Sequence, residues 1–128
     1  MKKLIEKIES YVENPSKGLP DDIFDFVGRL TPYINVDLLV KNNSGQTLLA
    51  WRGETLFSGS VGSGWHIPGG IIRFQENISN RIKEVAHQEM GARLSYHSEQ
   101  PLTVNQVLDF KAKNRSHFIS LLYKCELE

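Results

Sequence analysis

The most informative chemical group in the chain is a carboxylate on a predicted helix. Asn77 is a good N-cap and Gly91 a good C′ residue, so the stretch 78–90 between them is expected to be helical. At about 100° per residue, Ile78, Ile82, Val85 and Ala86 form an apolar stripe, and Glu89 falls inside it. A carboxylate there faces the domain body, where an unpaired charge is expensive. It also sits in the last helical turn, where the macrodipole disfavours negative charge. Two penalties at one position call for a basic partner or a metal ion. The alternative is a side chain that reaches past the helix end to solvent or to Arg93. Glu76 precedes the helix and is expected to pair with Arg73 or Arg81, while His87 projects to the opposite, solvent side.

Spacing extends this pattern. Gly70 is followed by five residues, Glu76, seven more residues and then Glu84-Val85-Ala86-His87-Gln88-Glu89-Met90-Gly91-Ala92. This run resembles the Nudix box of the Nudix hydrolases, G, five residues, E, seven residues, R-E-U-x-E-E-x-G-U, with U bulky and apolar. Gly70, Glu76, Glu89 and Gly91 match, and Ala86 and Ala92 are small residues at the U positions. Glu84 replaces the Arg, Val85 the following Glu, and Gln88 the first Glu of the pair. Ordinary boxes hold two or more Mg²⁺ ions through these carboxylates. Hard oxygen ligands suit Mg²⁺ and Val85 supplies none, so a single Mg²⁺ is expected.

A reduced box that keeps only the last Glu is similar to that of the GDP-mannose mannosyl hydrolase branch. The likeness continues in Asp21-Asp22-Ile23-Phe24, in Thr31–Val40, in Leu48-Leu49-Ala50-Trp51-Arg52 and in the W-x-x-P-G-G approach Gly64–Gly70, so it covers roughly 20–125. The resemblance implies an α/β/α sandwich built on a mixed sheet. It implies a Mg²⁺-dependent hydrolase of a nucleoside-diphosphate sugar, with attack at the anomeric carbon and release of sugar and nucleoside diphosphate. Within it, Glu89 carries Mg²⁺, helped by the backbone carbonyl of Gly69. Asp37 and Arg52 match catalytic positions that contact sugar and diphosphate, and His117 matches a substrate-binding position beside the site. A guanidinium suits diphosphate because it pairs bidentately with phosphate oxygens.

Each of these has a bland alternative. Asp37 could be a solvated strand residue and Arg52 an exposed strand end. A lone His117 is weak evidence. Trp65 is expected to pack in the core. Arg73 stands two positions beyond the family's arginine after Gly-Gly, where this chain has Ile71. Two other functions stay open: a pyrophosphatase acting on another nucleoside-diphosphate derivative, and a catalytically weak module that binds a nucleotide or a protein.

The elements that must position these groups follow from local patterns. Residues 2–14 read as a helix with the stripe Leu4, Ile5, Ile8, Tyr11 and Val12, and a second short helix is capped by Asp21 or Asp22. From Tyr33 the pattern alternates, with Ile34, Val36, Leu38 and Val40 on one strand face and Asn35 and Asp37 on the other. Asn42-Asn43-Ser44-Gly45 is a turn into a strand at Thr47–Arg52. Residues 53–64 hold four glycines and three serines and read as a mobile loop. Further strands are expected at Ile71–Phe74, 92–97, 103–110 and 117–126. The division is an N-terminal helical extension, 1–31, and a Nudix domain, 32–128.

Composition bounds the rest. The 128 residues carry 15 Lys+Arg against 15 Asp+Glu, which gives no electrostatic argument for nucleic acid. The single cysteine, Cys125, excludes an intrachain disulfide framework. No apolar run approaches the roughly 20 residues that span a bilayer, so no membrane association and a cytoplasmic location are expected. The family's C-terminal segment, with its general-base histidine, a closing strand and a helix, has no counterpart before Glu128. The apolar residues on both faces of the last strand, with the stripe of helix 2–14, therefore suggest a homodimer or an N-terminal helix folded back within its own chain.

Overall fold

The structure is a computed structural model that describes residues 1–52, 64–96 and 99–128. The predicted loop 53–64 lies outside the described residues, apart from Gly64. The strands are β1 (Tyr33–Val40), β2 (Ala50–Arg52), β3 (Gly64–His66), β4 (Gly69–Ile71), β5 (Leu94–Tyr96), β6 (Thr103–Leu108) and β7 (His117–Leu127). The helices are α1 (Lys2–Glu9), α2 (Asp21–Gly28) and α3 (Ile78–Val85), the last continuing as a π-helical turn over Ala86–Met90.

β1 is the hub. It runs parallel to β7 along its whole length, Tyr33 opposite Phe118 through Val40 opposite Cys125, and antiparallel to β4 on its other side. β6 and β5 both pair antiparallel with the far edge of β7, at Leu122–His117 and Leu127–Cys125. β2 and β3 form a separate two-stranded ribbon. The sheet is therefore mixed, as expected. Alternation along β1 sends Val36, Leu38 and Val40 into a core with Ile82 and Val85 of α3 and Tyr123 and Cys125 of β7. Gly70 allows the helix this close, since a Cβ there would press on Val85.

Local signals set several boundaries. The Asn77 side chain accepts the Asn80 N–H at 2.7 Å, and Gly91 adopts φ +58°, closing the helical segment in the left-handed region. Asn42 accepts the Ser44 and Gln46 N–H groups and Gly45 takes φ +78°, which makes the turn after β1. Other expectations need correction. The first helix ends at Glu9 rather than 14. Its residues Leu4, Ile5, Ile8 and Tyr11 are exposed, so it does not fold back over β7. Asp21 and Asp22 lie in the first turn of α2, where they favour the macrodipole, but neither side chain caps it. Ile34 is 48% exposed rather than core, because it lines an open groove with Phe24, Val27 and Ile72.

Helix α2 is tied firmly to the sheet domain. Phe24 stacks on Tyr33 at 4.4 Å, Tyr33 packs on Phe118, and the Tyr33 hydroxyl donates to the Phe24 carbonyl at 2.7 Å. Arg115 lies over the Phe24 ring at 4.9 Å and pairs with Asp25 at 3.1 Å. Burial raises the Tyr33 phenol above its ordinary value, so it stays a neutral donor. No helix among the described residues is long and apolar enough to cross a membrane.

Candidate functional site

Three pieces of chain meet at the β1–β4 edge. β4 places Gly69 opposite Asp37. The π turn after α3 swings Glu89 back to the same strand, where its Oε2 accepts the Gly69 N–H at 3.2 Å. The β2–β3 ribbon adds the third piece. Its pairing sets Ala50 opposite His66 and Trp51 opposite Trp65, so Arg52 and His66 share one face and the tryptophans the other. His66 Nε2 stands 3.9 Å from Glu89 Oε1.

Asp37 sits deeper. Asn35 Nδ2 donates to its Oδ1 at 2.9 Å and the Ser120 hydroxyl donates to its Oδ2. A Cβ at Gly69 would strike the Asp37 carboxylate and the Val36 carbonyl, so this close approach requires glycine. Burial pushes the Asp37 carboxyl above its ordinary range, against the Ser120 and Asn35 hydrogen bonds and the charges of His66 and Arg52. The structure thus brings Asp37, Arg52, Gly69 and Glu89 into one neighbourhood and adds Asn35, His66 and Ser120. His117 is not brought there. It opens β7 with Nε2 3.1 Å from Nε2 of Gln106, and strand alternation puts it on the face opposite Ser120.

The setting of Glu89 differs from the projection. A regular helix would carry it into the apolar stripe. The π turn widens the last five residues, so Ala86 is buried and Met90 packs against the core while Glu89 stays at the rim. Trp65 also differs: it is 67% exposed and meets Trp51 edge to face at 5.2 Å instead of entering the core. His66 was missed because an isolated histidine before Pro-Gly-Gly carries no signal of its own. The alternation of a three-residue strand is what turns it inward.

A divalent cation suits these residues. Both ring nitrogens of His66 and Oδ1 of Asn35 are buried with no hydrogen-bond partner among the described residues, and such orphaned groups are costly. No group of three or more His, Cys, Asp and Glu among the described residues is arranged to hold a metal. Any cation here would take few protein ligands and keep water or substrate oxygens, as Mg²⁺ does. Gly69 meets Glu89 through its N–H, and that contact fixes the carboxylate at the strand.

No family model matches the chain. Among solved structures, a Nudix hydrolase from Nitrosomonas europaea superposes with a TM-score of 0.61 at 12% identity, covering 77% of this chain and 60% of that one. A UDP-X diphosphatase superposes with a TM-score of 0.56 at 14% identity, covering 99% of this chain and 70% of its own. The chain has the Nudix fold. Low-salt glycan biosynthesis protein Agl8 of Haloferax volcanii is 27% identical over 86 residues, which are 67% of this chain and 52% of that protein. The chain therefore spans about half the length of this curated relative.

The box residues take distinct places in this Nudix fold. Glu76 is structural, as expected: Arg81 grips it through two 2.8 Å hydrogen bonds, and the Arg73 N–H and Asn80 amide add two more. Val85 is core. His87 and Gln88 are exposed. Glu89 is the box carboxylate that reaches Gly69 and His66.

Proposed function

We propose that the chain is a Mg²⁺-dependent Nudix hydrolase acting on a nucleoside-diphosphate sugar, of the mannosyl-hydrolase type. The observation that carries this is the convergence of Glu89, at its box spacing, with Gly69 and Asp37 at the β1–β4 edge, where the charge of Arg52 from the β2–β3 ribbon acts on Asp37. Glu89 holds the cation, assisted by the Gly69 carbonyl. When bound, the cation offsets negative charge on the departing diphosphate. Arg52, on the inward face of β2, pairs with diphosphate oxygens. Asp37, fixed by Asn35 and Ser120, accepts a hydroxyl of the sugar. The matched relatives support the substrate class by name alone: one concerns glycan biosynthesis and another a UDP derivative. His117, on the face of β7 opposite Ser120, has no part in this reading. We place the chain in the cytoplasm, as a homodimer that covers Leu4, Ile5, Ile8 and Tyr11, testable by light scattering.

A second reading, a weakly catalytic binding module, draws on Val85, which occupies a metal-carboxylate position yet is buried in the core. The test is a panel of nucleotide sugars with Mg²⁺ and identified products. Free sugar with nucleoside diphosphate supports carbon attack. Sugar phosphate with nucleoside monophosphate moves the chain to the pyrophosphatases. Ligand binding without turnover supports the binding module.

A further inference from the structure

We propose that His66 is a nitrogen ligand of the cation at Glu89, so that the site takes Mn²⁺ as well as Mg²⁺ and holds Mn²⁺ the more tightly. This rests on the reading of Glu89 as the cation's carboxylate.

Burial is the first argument. The His66 side chain has both ring nitrogens shielded from solvent and unpartnered among the described residues. Leaving such a group unsatisfied costs about 1–3 kcal/mol. The ring is open to a further ligand, and its carboxylate neighbour does not hydrogen-bond to it directly. The Nε2 to Oε1 separation of 3.9 Å lies beyond hydrogen-bond range.

The separation itself is the second argument. Metal–nitrogen and metal–oxygen bonds of about 2.1 Å each span up to about 4.2 Å, so one cation can touch both atoms at an obtuse angle. A water bridge through two hydrogen bonds of about 2.8 Å at a tetrahedral angle wants nearer 4.5 Å. The gap lies inside both spans, so a small side-chain adjustment lets one cation share both atoms.

The third argument is placement and chemistry. β2–β3 pairing fixes His66 from one side, and the Trp51–Trp65 contact braces the ribbon on the other face. Imidazole nitrogen favours transition metals, whereas carboxylate, carbonyl and water suit Mg²⁺. With Val85 and Gln88 in place of box carboxylates, a nitrogen from outside the box takes up part of the coordination.

The test uses the full chain, calorimetry with Mg²⁺ and Mn²⁺ separately, and electron–nuclear resonance of bound Mn²⁺. The expected result is an imidazole nitrogen coupling to Mn²⁺ and a tighter affinity for Mn²⁺ than for Mg²⁺. His66→Ala should lose the coupling and weaken Mn²⁺ about tenfold or more, while Mg²⁺ affinity changes far less. Mn²⁺ bound at Glu89 without nitrogen coupling overturns the His66 proposal and leaves the Glu89 reading standing. Absence of any Mg²⁺ or Mn²⁺ binding overturns both. If His66→Ala does not fold, the coupling in the unmodified chain alone decides.

Discussion

Arg81 holds Glu76 in a bidentate pair, three residues ahead of the box position where Glu84 replaces arginine. The two side chains are only 8% and 6% exposed. Burial alone would raise the Glu76 carboxyl, but the Arg81 hydrogen bonds, with those from the Arg73 N–H and Asn80, outweigh it and hold the group below its ordinary 4.5. The pair closes the loop between β4 and α3 and so carries the frame on which Glu89 is presented.

Glu76→Gln should therefore cost about 3 kcal/mol at neutral pH, because it leaves Arg81 buried without its counter-charge. The folded carboxyl titrates lower than the unfolded one. Its contribution is complete above the unfolded value and disappears as pH falls through the folded value. Urea denaturation from neutral to acid pH should show variant and parent converging in acid. A gap that stays constant with pH would contradict the pairing.

Val85→Glu tests whether the lost box carboxylate can be restored. Val85 packs with Val36 and Ile82 and is 3% exposed, so a carboxylate there enters the core. The expected loss is about 2–4 kcal/mol of stability, with no gain in diphosphate cleavage. Unchanged stability together with a rise in cleavage would show that the side chain turns to the site instead.

Cys125 lies in the core under Tyr123, and burial pushes its thiol up to about 11. A disulfide reagent should leave the native chain almost unlabelled near neutral pH and label it fully in denaturant. Rapid labelling without denaturant would mean that β7 is not the central strand described above.

Much of the frame was legible because its causes are local. Asn77 and Gly91 mark helix ends through their own backbone and side-chain chemistry, and the alternation from Tyr33 marks β1 and the outward face of Asp37. What local patterns hid depended on other chain segments. Glu89 departs from its projected place because a π turn changes the period that the projection assumes. Trp65 turns outward and His66 inward because the pairing of a short ribbon, not residue type, decides which faces inward. His117 has the right residue type and lies on the wrong face of β7, a matter of strand parity that the resemblance does not encode. The stripe of α1 is sound as a pattern, yet nothing in it specifies what covers it.

The proposed activity depends on Glu89 anchoring a divalent cation at the β4 edge. Calorimetric titration of Mg²⁺ into the parent chain and into Glu89→Gln, with circular dichroism on both, tests it most directly. Saturable binding to the parent and none to a folded variant of similar stability is the predicted result, since Glu89 stands exposed at the rim and its loss leaves no buried charge unpaired. Unchanged Mg²⁺ affinity in Glu89→Gln would contradict the account.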